Sequence, residues 1–88
     1  MADQITYYAI VDDLSSRERP AGVLRRVYFE VGGRRDEAFS QDLVWERTAM
    51  LVSAERGDLQ NDFIEITEEE ANQIVARIRA EAAAAKGT

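Results

Sequence analysis

Two groupings of carboxylates have intervals that a cation or a proton transfer can use. Asp58, Gln60, Asp62 and Glu69 fall at the first, third, fifth and twelfth places of a calcium-binding loop, whose oxygen ligands recur at those intervals. The sixth place, where such a loop turns sharply and needs glycine, is Phe63, so the spacing does not make a calcium site. Asp12 and Asp13 are adjacent, with Glu18 and Asp42 as further carboxylates; such a set can hold magnesium or divide acid and base roles among its members. Spacing does not separate these four from the other acidic residues, and adjacent aspartates at a strand end are equally explained as a solvated terminus.

The 88-residue chain contains no histidine and no cysteine. The commonest general base, the commonest transition-metal ligand and every thiol nucleophile are therefore missing, along with disulfide staples. On this ground the chain is expected not to be an enzyme and to carry no cofactor and no metal. A carboxylate- and magnesium-dependent enzyme is the one catalytic alternative left open.

The remaining charged groups that can recognise another molecule are arginines. Arg17, Arg19, Arg25, Arg26, Arg34 and Arg35 lie between positions 14 and 35, opposed there only by Glu18 and Glu30, while residues 36–70 hold eleven acidic groups against Arg47 and Arg56. The first segment carries +4, the second −9, and the whole chain −6. If this polarity persists in space, complementary potentials can steer a charged partner or a second copy of the chain into register. The expected partner-binding residues are those six arginines together with Trp45, because tryptophan is enriched at the centres of interfaces. The bland alternative is that the arginines pair internally with the acidic half and the aromatics fill the core. The net negative charge argues against general attraction to nucleic-acid backbones, although a regulator using the Arg17–Arg35 segment remains a second reading.

The elements that must position these groups show in the patterning. Ile5 to Val11 is β-branched and aromatic, apolar on both sides, and suits a central strand. Residues 12–22 are polar, hold the only proline and end in glycine, as a loop does. In Val23 to Val31, Val23, Val27, Phe29 and Val31 share one side with Arg25, and Leu24, Arg26, Tyr28 and Glu30 share the other, so the run predicts a strand with one core face and one mixed face. Gly32-Gly33 supplies two positive-φ positions for a hairpin turn, and Arg34 to Phe39 is polar enough to be an edge strand guarded by its charges.

Residues 42–56 support either one helix capped by Ser40, or a short strand over Leu43 to Arg47 followed by a helix capped by Thr48; Gly57 ends the helix. The strand-plus-helix reading is preferred, since Val44-Trp45 suits a pleated surface. Residues 58–62 read as a turn, and Phe63 to Ile66 as a short strand. Thr67-Glu68-Glu69-Glu70 is a capping box, and the helix it opens presents Ala71, Ile74, Val75, Ile78 and Ala82 on one face. Ala82 to Ala85 extends that helix by propensity alone, and a tail over 83–88 is expected to fray.

Together these elements predict a single α+β domain over residues 1–88, ordered from about 4 to 82, with a small antiparallel sheet of three to five strands and a C-terminal amphipathic helix packed on one face. The N-terminus has no cationic leader pattern and no run approaches a membrane span, so a cytoplasmic location without membrane contact is expected. Tyr7-Tyr8-Ala9-Ile10-Val11-Asp12-Asp13, the arginine-rich stretch from Ser15 to Arg26, Glu55-Arg56-Gly57 and Ile66 to Ala71 resemble a family of small uncharacterised actinobacterial proteins. The resemblance covers roughly residues 5–81 and implies a bacterial origin and a stand-alone domain, with no activity attached. The functional expectation is a non-catalytic protein-binding or adaptor domain whose partner is another protein or a second copy of itself.

Overall fold

The computed structural model describes residues 3–39, 43–57 and 61–86. Five strands, β1 (Gln4–Val11), β2 (Gly22–Tyr28), β3 (Arg34–Phe39), β4 (Trp45–Arg47) and β5 (Asp62–Ile66), form one antiparallel sheet in the order β4-β3-β2-β1-β5. A short helix α1 (Met50–Glu55) follows β4, and a long helix α2 (Glu68–Lys86) follows β5. The chain is thus an α+β domain with its C-terminal helix on the sheet, as the patterning predicts. Among the described residues no helix is long and apolar enough to cross a membrane.

Alternation along β1 and β2 builds a core on both faces of the sheet. On one face Val23, Phe39 and Ala71 are buried together, with Tyr7, Trp45, Ile66, Ile74, Val75 and Ile78 packed around them. This is where the apolar stripe of α2 docks, over β1 and β2. On the other face Ile10, Leu24 and Leu51 are buried, with Tyr8, Met50 and Phe63 beside them, and α1 is the cover. The side of β2 expected to be mixed therefore contains Leu24, which has no exposed surface at all.

The ends of several elements differ from expectation for identifiable reasons. The strand expected to reach Val31 stops at Tyr28, because the Phe29 amide donates to the Gly33 carbonyl and the Gly32 amide to the Phe29 carbonyl, closing a longer turn. Both glycines do adopt positive φ, 104° and 87°, but they end that turn rather than form all of it. β3 is not an edge strand: it lies between β2 and β4. An inner strand tolerates this many charges because its acidic groups face arginines of β2. β4 begins at Trp45 and not at Leu43, whose φ of 64° is a left-handed conformation that no strand continues.

Thr48 does not cap α1 in the expected manner. The N-cap is Ala49, and the Thr48 hydroxyl accepts from the Met50 amide at 3.1 Å, two residues on. Gly57 follows Arg56 at the end of this helix with φ 81° and its amide on the Ala54 carbonyl. At α2 the capping box forms in both directions: the Glu70 amide donates to the Thr67 hydroxyl at 3.1 Å, and the Thr67 amide to the Glu70 carboxylate at 3.2 Å. The helix runs on to Lys86, so Ala82 to Ala85 extend it, as their propensity predicts. Ser40, Asp42, residues 58–60, which the sequence reads as part of a turn, and the last two residues lie outside the described residues.

Candidate functional site

Antiparallel pairing decides what becomes of the arginine segment. Its register sets Arg25 opposite Glu37 and Arg26 opposite Asp36, and strand alternation sends the two arginines to opposite faces. On the α1 face Arg26 grips Asp36 with two parallel bonds, Nε to Oδ1 at 2.7 Å and Nη2 to Oδ2 at 2.9 Å. Its Nη1 reaches Glu55 at the end of α1 at 2.8 Å. Both members of the Arg26–Asp36 pair are buried, their side chains 6% and 5% exposed. The hydrogen bond to Asp36 holds the guanidinium more basic than usual, overcoming the opposing effect of burial. On the same face the Tyr8 hydroxyl is pushed up, first by burial and then by the neighbouring Tyr28, so the phenol holds its proton more firmly than usual.

On the α2 face Arg25 bonds Glu37 through Nε at 2.8 Å, and its guanidinium lies 4.1 Å from the centre of the Trp45 ring. Trp45 also packs edge-on against Phe39 at 5.5 Å and near Tyr7 at 6.4 Å. It is a half-buried core ring, not a free anchor. Arg35 sits 3.2 Å from the second Glu37 oxygen, its Nε outside hydrogen-bonding alignment, and over the Phe29 ring at 5.3 Å. Arg19 pairs with Glu81 of α2 at an exposed site.

Only Arg17 and Arg34 of the six lack an ion partner among the described residues, and they stand at opposite ends of the sheet. Arg34 is opposite Tyr28 at one end of β2, and Arg17 lies in the loop leading to Gly22 at the other. The seven residues expected to form a binding patch do not share a face. Four of the arginines, Arg19, Arg25, Arg26 and Arg35, meet carboxylates of this chain. The Asp12 carboxylate accepts from the Leu14 amide at 2.9 Å in a turn, and Asp13 beside it is exposed. Among the described residues no cluster of three or more acidic groups is arranged to hold a metal ion.

The geometry instead marks the opposite side of the sheet. Nothing among the described residues pairs with the outer edge of β5. On the α2 face a cleft of about 450 Å³ is floored by Ala9 of β1, Ile66 of β5 and Ile74 of α2. One wall is α2, contributing Glu70, Gln73 and Arg77; the other is the β1–β2 loop, contributing Arg17 and Glu18. The walls are tied together where Arg77 Nη2 donates to the carbonyl of buried Pro20 at 2.6 Å. Arg77 Nε is buried without a hydrogen-bond partner, 3.7 Å from a Glu81 oxygen. A second hollow, of about 400 Å³, lies where β5 passes into α2, and its charged residues are Asp3, Glu65 and Glu68, with no lysine or arginine in its lining.

Comparison with protein-family models, with curated proteins and with solved structures returns no match for this chain. The functional reading therefore rests on geometry alone. Sequence reasoning missed Glu70, Gln73 and Arg77 as cleft residues. They sit on the polar flank of a helix whose apolar stripe was legible, but the cleft exists only because β5 pairs with β1 and brings Ile66 beside the β1–β2 loop.

Proposed function

We propose that this chain is a non-catalytic protein-binding or adaptor domain acting in a bacterial cytoplasm, and that it meets its partner at the β5 side of the sheet rather than through the arginines of β2 and β3. The observation that carries this reading is the outer edge of β5, which pairs with nothing among the described residues, together with the cleft that β5 helps to floor. An open edge presents a row of backbone donors and acceptors that another chain can satisfy. The paired arginines support it in the negative, since Arg26 cannot reach a partner without breaking a buried ion pair. The lack of imidazole and thiol groups leaves a chain better suited to contact than to transformation.

The test is capture from native lysate on the intact chain, followed by amide hydrogen exchange on the purified complex. A stoichiometric protein partner that slows exchange within residues 62–66 is the expected result. Recovery of no protein, or protection confined to other strands, contradicts the reading.

A further inference from the structure

The outer edge of β5 differs from an ordinary strand edge in what flanks it. α2 packs over β1 and β2, and on its side of the sheet β5 presents the half-buried Ile64 and Ile66, of which Ile66 forms part of the cleft floor. A strand added to that edge would lie about 4.8 Å away, with alternate side chains on opposite faces of the sheet. Those on the α2 face meet Ile64, Ile66 and the cleft floor at Ile74. Those on the other face meet Glu65, which points away from α2, as the register opposite Tyr8 requires.

Charge then selects the occupant. Asp3, Glu65 and Glu68 line the hollow at the end of β5, and Glu69 follows Glu68 in the first turn of α2. A second copy of this chain is a poor occupant, because each copy carries −6 and antiparallel pairing of two β5 edges would set the Asp62 end of one strand beside the Glu65 end of the other, and like charges across strands destabilise. Nucleic acid is repelled by the same groups. We propose that the β5 edge receives an extended basic segment of a partner protein as a sixth strand, its apolar side chains on the α2 face and its Lys or Arg side chains toward Glu65 and the acidic hollow that Glu65 shares with Glu68. This inference rests on the edge-binding reading above and adds the chemistry of the partner.

The probe is a seven-residue peptide of alternating arginine and valine, titrated calorimetrically into the intact chain at low salt. Two analogues carry backbone N-methyl groups at the arginine or at the valine positions, and a fourth peptide replaces arginine by glutamate. Strand addition uses the amides of one peptide edge, so one methylated analogue should bind at least about tenfold more weakly than the parent while the other is less affected. The double variant Glu65→Lys and Glu68→Lys alters two exposed side chains; with its circular dichroism unchanged, it should weaken the parent peptide by about tenfold or more. Equal binding of both methylated analogues would reduce the effect to ion attraction and overturn strand addition. Equal binding of the glutamate peptide, or absence of binding by all four, would overturn the basic segment. A lysate partner that protects residues 62–66 yet stays bound to the double variant would retain the edge-binding reading and remove only this inference.

Discussion

The arginines of β2 and β3 and the carboxylates around β5 and the start of α2 are comparable in number and opposite in position. On the first side, strand register sets arginine against carboxylate, and Arg25, Arg26 and Arg35 all find oxygen within 3.2 Å. On the second, Asp62 and Glu65 lie on a strand whose outer edge pairs with nothing among the described residues, Glu68 and Glu69 open the helix that follows, and all four are exposed. The lesson is that charge density in a segment says little about surface charge. What matters is whether the neighbouring strand carries the opposite sign, and here the basic segment's neighbour does while the acidic segment has no neighbour on one side.

Three substitutions probe that contrast. The largest effect is expected from Arg26→Ala, which strands Asp36 in a buried site; breaking such a pair costs about 3 to 5 kcal/mol, to be read as a fall in the urea midpoint. A loss below about 1 kcal/mol would mean the pair behaves like a surface bridge, and the contrast would fail.

A smaller effect comes from Tyr8, on the same face as Arg26. Its folded phenol is raised above the usual value of 10.0, so the folded state keeps a proton that the unfolded chain releases. The stabilisation is complete below about pH 10 and is lost as pH rises through the higher folded value. Unfolding midpoints should therefore decline with alkaline pH in the parent chain, and Tyr8→Phe should flatten that decline. An unchanged slope would place the alkaline sensitivity elsewhere. The smallest effect is expected from Arg19→Ala. Its side chain is 70% exposed, and an exposed pair with Glu81 contributes between nothing and about 1 kcal/mol, so the thermal midpoint should barely move.

Local signals in the sequence translated directly where one element could express them. The Thr67–Glu70 box, the helix stop at Gly57 and the two positive-φ glycines need only near neighbours in the chain, and each is found. The strand-plus-helix reading of residues 42–56 also holds, in a shorter form, because a left-handed Leu43 delays β4. What the sequence did not disclose were facts about pairing. β3 looks like an edge strand from its own charges and becomes an inner strand only because Asp36 and Glu37 face Arg26 and Arg25. The cleft depends on β5 crossing to the far side of β1, a choice that leaves no mark on local composition.

The two apolar clusters lie on opposite sides of one sheet and use alternate residues of the same two strands: Tyr7 and Val23 for one, Ile10 and Leu24 for the other. Neither half can loosen alone, since shifting β1 or β2 to relax one layer drags the wall of the other. A protein of this size with separate cores on separate strands could melt in stages; with a shared partition it should lose both layers in a single transition, so that fluorescence from Trp45 on one side and exchange at Leu51 on the other report the same midpoint.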